Sequence, residues 1–244
     1  MKRAIVIGAS SGIGCEVSKL LIADGWQLGI AARRVDRLEE IKRISPAQVE
    51  VMRIDVTSAD APERLLALIK MLGGVSLFVY CSGVGKQNPE LDTDVELSTV
   101  GVNVKGFTAM VDTMFNYMAA HLGGDIAVIS SIAGTKGLGV APSYSATKAY
   151  QNVYIQALEQ LSNMRHLHIR FTDIRPGFVR TDMLAGSGHY PLLMDKTAVA
   201  RELLRAVKAH RHVHVIDWRY RLVVLIWRLI PNRLWRKLNI RNRK

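Results

Sequence analysis

Tyr144 and Lys148, four residues apart in the stretch PSYSATKAYQ, are a pair whose types and spacing could do chemistry. The surrounding residues 143–164 read as a helix, where positions i and i+4 are neighbours on one face. A free phenol titrates at about pH 10, too high to exchange protons readily near neutrality. A cation beside it favours the phenolate and lowers that value. The pair is therefore either a tuned acid/base or a surface tyrosine next to a solvated lysine, and these ten residues alone do not separate the two.

The elements that would have to position such a pair follow from the hydrophobic pattern. Short apolar runs at residues 4–8, 27–32, 49–54, 76–80, 125–130, 168–174 and 213–216 read as strands. Between them lie helix-length stretches at 14–24, 36–44, 61–72, 95–122, 143–164 and 197–209. Alternating β and α elements imply a parallel sheet with helices on both faces. Right-handed crossovers then leave an α/β, doubly wound architecture. No internal repeat or low-complexity linker interrupts the body. Residues 1–217 are expected to form one domain, and 218–244 a basic amphipathic C-terminal extension.

The first strand runs into GASSGIG (residues 8–14) and then into a helix. Glycines at that junction allow a tight turn and let the backbone approach a pyrophosphate, whose charge the helix N-terminus meets. The spacing is G-x-x-x-G-x-G and lacks the Lys-Ser/Thr ending of a P-loop, which argues against an NTPase. At the end of the second strand, where an acid would bind the free ribose hydroxyl of NAD, stand Ala32, Arg33 and Arg34. Two guanidinium groups suit a 2′-phosphate, so NADP(H) is favoured over NAD(H). The alternative is that they only decorate a helix start, an odd place for cations.

Composition limits the remaining classes. The formal net charge is +12, but nine of the 33 Lys/Arg and none of the 21 Asp/Glu lie after residue 217. The body is thus nearly balanced, which argues against a basic groove for nucleic acid. The two cysteines, Cys15 and Cys81, offer neither a disulfide framework nor metal-ligand spacing, and a reducing, cytoplasmic setting is the simplest expectation. Gly8 follows the first apolar run too soon for a secretory leader. The alternating histidines of HRHVHV (residues 210–215) have no acidic or thiol partners, and no metal site is assigned.

Taken in order, GASSGIG, DVT (55–57), YCSGVG (80–85), VNVKG (102–106), ISSIAG (129–134), YSATK (144–148) and RPGFVRTDM (175–183) resemble the short-chain dehydrogenase/reductase family over roughly the first 215 residues. The resemblance implies a Rossmann-like sheet of about seven strands and an enzyme that interconverts a carbonyl and an alcohol by hydride transfer. Its four catalytic positions fall on Asn103, Ser131, Tyr144 and Lys148. Tyr144 would donate the proton, and Ser131 would hydrogen-bond the same substrate oxygen. Lys148 would lower the tyrosine pKa and hold the nicotinamide ribose. Asn103 would anchor a water linking the lysine to solvent. The cofactor set implied is Gly8, Ser10, Ser11, Gly12, Ile13 and Gly14 at the phosphates, Arg33 and Arg34 at the 2′-phosphate, and Asp55 with Val56 at the adenine. Ser82, Gly83 and Val84 would line the adenosine ribose, and Pro176, Gly177, Val179 and Thr181 the nicotinamide end, beside Asn103, Tyr144 and Lys148.

The chain departs from the family at Ile7, where threonine is usual, and at Cys81-Ser82-Gly83, where the usual run is Asn-Asn-Ala-Gly. Losing both members of a hydrogen-bonded pair can be nearly neutral. Ile7 and Cys81 are therefore expected to be a compensated apolar swap, in contact or close to it. A non-catalytic dinucleotide sensor is the rival reading, though a sensor needs no proton relay.

Residues 184–196 correspond to the family's substrate lid, with Leu184, His189 and Tyr190 as candidate substrate contacts beside Ser131 and Tyr144. Their apolar content leans towards a hydrophobic small-molecule substrate. In the extension, Trp218, Leu222, Leu225, Ile226 and Leu229 share a helical face among arginines, and Pro231 and Arg228 break the run well short of a membrane span. That segment either lies in a membrane interface as a peripheral contact or packs over the lid or a sister subunit. Relatives commonly form homodimers or homotetramers through the two long helices, here 95–122 and 143–164.

Overall fold

The computed structural model describes residues 2–184 and 190–240. Seven strands form one parallel sheet: β1 (Arg3–Ile7), β2 (Gln27–Ala32), β3 (Val49–Arg53), β4 (Leu77–Tyr80), β5 (Gly124–Ile129), β6 (Ile169–Arg175) and β7 (Val213–Val215). Their spatial order is β3-β2-β1-β4-β5-β6-β7. The chain reverses its winding between β1 and β4, and the crevice above that switch point is where an open α/β sheet takes a ligand.

Side chains alternate across each strand, so the sheet builds two separate cores. Val6, Leu28, Ile30, Val79 and Ala127 face one way, towards α1 (Gly12–Ala23), α2 (Val35–Lys42) and α7 (Lys196–Lys208). Ile5, Ile7, Phe78, Tyr80, Ile126 and Val128 face the other way, towards α3 (Ala61–Leu72), α5 (Phe107–Ala119) and α6 (Pro142–Met164). Helix α7 shows why such segments fold as they do. Val199, Leu203, Ala206 and Val207 recur at helical spacing and are buried, while Asp195 caps the first turn by accepting from the Thr197 and Ala198 amides at 2.9 and 3.0 Å.

One expected helix, 95–122, is divided. Helix α4 (Thr93–Val100) passes through a π-helical turn at Gly101–Gly106 before α5 begins. A Cβ on Gly106 would lie 2.7 Å from the Val56 carbonyl oxygen, so the helix can approach the end of β3 only at a glycine. The wider turn carries Asn103, fully buried, towards β4 and α6.

The C-terminal segment forms α8 (Trp218–Leu229) and the short α9 (Asn232–Trp235). Helix α8 turns Tyr220, Val224 and Trp227 onto the core beside α7. The apolar face read from the sequence points the other way: Trp218, Leu222, Leu225, Ile226 and Leu229 are all exposed. Behind α8 the Trp235 ring meets Trp227 edge-on at 5.3 Å and donates to the Gly137 carbonyl at 2.7 Å. Lys136 closes the same corner through the Ile230 carbonyl at 3.0 Å and Asn232 Oδ1 at 2.7 Å.

Candidate active site

The loop after β1 can take a pyrophosphate because its glycine positions admit no side chain. Gly8 has φ +84° and Gly12 +57°, a region L side chains rarely adopt. A Cβ on Gly8 would lie 2.7 Å from the Ser82 amide, and one on Gly14 would lie 2.4 Å from the Gly8 carbonyl oxygen. Helix α1 starts here with no side-chain cap and no acidic residue in its first turn, leaving its amides and dipole for an anion. Ser10 and Ser11 stand at the rim, where the Arg34 guanidinium donates to Ser11 Oγ at 2.7 Å and Ser10 Oγ at 3.3 Å. Arg33 is exposed beside it. Asp55 accepts from the Thr57 amide and hydroxyl at 3.0 and 2.8 Å; these bonds, with Arg33 and Arg53 nearby, hold its carboxyl below the usual range. The cradle fits a dinucleotide.

Tyr144 and Lys148 lie in the first half of α6, and the Lys148 Nζ sits 5.9 Å from the Tyr144 ring centroid. Gly85 lies against that ring so closely that a Cβ there would be 2.6 Å from it. Ser131 caps the turn Ile132–Thr135 by accepting from the Ala133 amide at 3.1 Å, and its hydroxyl reaches the Pro176 carbonyl at 3.4 Å. Ser130, its neighbour, points to the buried Asp173–Arg175 ion pair instead. Burial pushes the Tyr144 phenol up, opposed by the nearby Ser131 hydroxyl. In the free protein the phenol is therefore raised rather than depressed, and burial sets the direction. A phenol kept protonated suits a proton donor. Lys148 is pulled down to about 8 by the same burial, against the pull of Asp173.

The lysine is held by the chain itself. Its Nζ donates to the Ile129 carbonyl at 3.0 Å and to Gln151 Oε1 at 2.9 Å. Gln151, fully buried, turns its Nε2 to the Asn103 carbonyl at 2.9 Å. One amide side chain therefore joins the Asn103 carbonyl to Lys148. The Asn103 side chain is spent elsewhere: it accepts from the Val84 amide at 2.9 Å and donates to the Val84 carbonyl at 2.7 Å and Thr147 Oγ1 at 3.1 Å. This clamps Ser82-Gly83-Val84, and a Cβ on Gly83 would approach Lys148 Nζ to 3.5 Å. Gln151 and Thr147 were missed in the sequence; their only signal was polarity on a helix face otherwise turned to the core.

Ile7 and Cys81 do not form the expected contact. The Cys81 amide donates to the Ile7 carbonyl at 2.8 Å, but Ile7 sits in the core with α3 and α5, and Cys81 packs against the core with α1. Ile7 is registered with Tyr80, so the next residue, Cys81, points to the opposite face. Burial pushes the Cys81 thiol up to about 12, favouring the thiol over the thiolate.

The nicotinamide-end segment is pinned from outside. Pro176 accepts from the Ile132 amide at 3.1 Å, Val179 pairs with Met194, and Thr181 lies against Gly12. Gly177 carries the Tyr220 ring, which a Cβ would meet at 2.1 Å. The Tyr220 hydroxyl accepts from the Phe178 amide at 3.1 Å and reaches the Pro191 carbonyl at 3.0 Å. Tyr190 is buried against Phe178, ring centroids 4.7 Å apart, and the Leu184 amide donates to Thr181 at 3.0 Å. His189 lies outside the described residues. Among those described, no group of His, Cys, Asp and Glu could hold a metal ion.

Residues 2–190 match the family model of the short chain dehydrogenases. An uncharacterised oxidoreductase of Myxococcus xanthus is 31% identical over 96% of this chain and 94% of its own length. A glycine betaine reductase of Emericella nidulans is 34% identical over 87% of this chain, which spans 18% of that larger protein. The structure of a short-chain type dehydrogenase/reductase from Mycobacterium ulcerans superposes with a TM-score of 0.78, covering 88% of each chain at 24% identity. The match to the family model, together with the seven-stranded parallel sheet and its glycine-rich first turn, places the chain among the dinucleotide-binding oxidoreductases. The chain belongs to the short-chain dehydrogenase/reductase family.

Proposed function

We propose that this oxidoreductase uses NADP(H) to interconvert a carbonyl and an alcohol on a hydrophobic small molecule. The observation that carries the reading is the grouping of Tyr144, Ser131 and Lys148 beside Gly83, in the loop whose Ser82 packs on Gly8 of the glycine turn. Bound NADPH would supply the hydride. The residues to hold it are Gly8, Ser10, Ser11, Gly12, Ile13 and Gly14 at the phosphates, Arg33 and Arg34 at the 2′-phosphate, Asp55 and Val56 at the adenine, and Ser82, Gly83 and Val84 at the ribose. Pro176, Gly177, Val179 and Thr181 take the nicotinamide end.

Tyr144 holds its proton at neutral pH and gives it to the substrate oxygen as charge develops there. Ser131 donates a second hydrogen bond to that oxygen. Lys148, with its pKa near neutrality, returns a proton towards the phenol, and Gln151 and Asn103 keep its amine in place. Phe178, Leu184 and Tyr190 make an apolar wall for the substrate. Exposed Leu97 and Val100 on α4 and Val153 and Leu161 on α6 support association through these helices into a homodimer or homotetramer. The basic residues of 218–244 support peripheral contact with a membrane.

The test is NADPH oxidation against a panel of ketones, aldehydes and acyl carbonyls, beside Tyr144→Phe. Turnover that vanishes in the variant while NADPH still binds is the expected result. Equal turnover in both proteins would remove Tyr144 from the role.

A further inference from the structure

Helix α8 is apolar on two opposite sides. Its inner side, Tyr220, Val224 and Trp227, is covered by the body of the protein. Its outer side carries Trp218, Leu222, Leu225, Ile226 and Leu229, each between 49% and 74% exposed. At the pitch of an α-helix these five fall within an arc of about 100°. Arg219 borders that arc on one edge, and Arg221 and Arg228 on the other. A helix apolar all round is normally covered on every side.

The charges identify what covers it. Arg228, Arg233, Arg236 and Lys237 make no ion pair among the described residues, whereas Arg219 is held by Asp217 at 2.5 Å. From Trp218 to the end the sequence has nine Lys/Arg and no Asp/Glu. A second copy is a poor occupant, because a two-fold contact sets each patch against itself and would bring these cations together. An anionic lipid surface meets both requirements: acyl chains accept the apolar stripe, and phosphate-bearing headgroups meet the flanking arginines. Trp218 opens the stripe at its N-terminal end, and tryptophan is a residue favoured at membrane interfaces. No described helix is long and apolar enough to cross a bilayer, so the helix lies along the surface.

We propose that the outer face of α8 docks in the plane of an anionic phospholipid membrane, with the core-facing side of the same helix still seated on the protein. This deepens, and rests on, the membrane contact included in the proposed function. Because Tyr220 joins α8 to Phe178 and Pro191, the docked face lies next to the substrate loop.

The experiment is sedimentation of the full chain with phosphatidylcholine vesicles, with and without phosphatidylserine. Each basic residue near an anionic surface strengthens binding roughly fivefold, so a preference of at least tenfold for the phosphatidylserine vesicles is expected, falling as salt is raised. The double variant Leu225→Glu/Leu229→Glu is expected to lose at least tenfold in partitioning while melting at the parent temperature, since neither side chain is buried. No sedimentation with either vesicle overturns the proposal. So does a double variant that binds as the parent does, which would assign the attraction to charge alone. A parent dimer in solution that the double variant dissociates would likewise overturn it, in favour of a second copy. NADPH turnover of a soluble carbonyl without vesicles tests the oxidoreductase chemistry separately.

Discussion

Gln151→Leu removes a buried amide that Lys148 uses without changing the shape of the site much. In the protein, Gln151 Oε1 accepts from Lys148 Nζ at 2.9 Å, and the lysine titrates at about 8. A hydrogen bond to a charged group is worth about 1.5–3 kcal/mol, and about 1.4 kcal/mol corresponds to one pKa unit. Its loss should therefore lower the Lys148 pKa by about one to two units, to about 6 or 7. The lysine would then be mostly neutral where the parent enzyme keeps it charged. Profiles of kcat/KM against pH report the free enzyme, the state described here, and the limb assigned to Lys148 should move towards acid by that amount. Gln151→Glu provides the opposite perturbation: a carboxylate in the same place favours the ammonium, and the limb should move towards alkali. A limb that stays within half a unit of its parent position in both variants would refute the idea that Gln151 sets the charge on Lys148.

Other outcomes follow from the same geometry. Tyr144→Phe should reduce kcat by about 10²–10⁴-fold with NADPH affinity retained, read by steady-state turnover and by calorimetric titration of the cofactor. Arg34→Ala should weaken NADPH about 10- to 100-fold and leave NADH almost unchanged, because one charge-assisted contact to a 2′-phosphate is lost; equal weakening of both would remove Arg34 from that site. Lys148→Met should change the pH dependence of stability. A lysine whose folded pKa is depressed from 10.5 to about 8 destabilises the fold below pH 8, and the penalty fades as pH rises to about 10.5, so the parent's melting temperature should rise relative to the variant's across that window; parallel curves would refute the depressed pKa. Tyr220→Phe should cost about 1–3 kcal/mol, or a few degrees in melting temperature for a chain of this size, since the Phe178 amide and Pro191 carbonyl lose their shared partner.

The fold was legible because both of its signals are local. Apolar runs of strand length alternating with amphipathic stretches of helix length place β2 and α3 within the residues read from the sequence, and the other strands within a residue or so. The glycines of the first turn and the Tyr144–Lys148 spacing were legible for the same reason. What depends on approach between distant segments was not. The break at Gly101–Gly106 answers to the Val56 carbonyl, more than forty residues away, and nothing inside 95–122 announces it. Gln151 reads as one more polar residue until the π-helical turn brings the Asn103 carbonyl to it. Ile7 and Cys81 were assigned to one contact because each stands where the family has a polar residue of a bonded pair; they meet through the backbone, and the pleat separates their side chains. In α8 two apolar stripes were available, and periodicity alone does not say which one the body takes.

The hydroxyl of Tyr220 has a consequence for the segment it bridges. It joins Phe178 to Pro191, next to the backbone bonds that tie Phe178 and Arg180 to Met194. The segment proposed as the substrate lid is therefore tied together at its neck by the protein's own bonds. Closing a loop costs chain entropy that grows only slowly with its length. With the neck already fixed, exchanging or adding residues between Thr181 and Tyr190 adds little further cost. Changes in that segment's length or sequence should therefore leave the sheet, the Tyr144–Lys148 pair and the Tyr220 contact undisturbed.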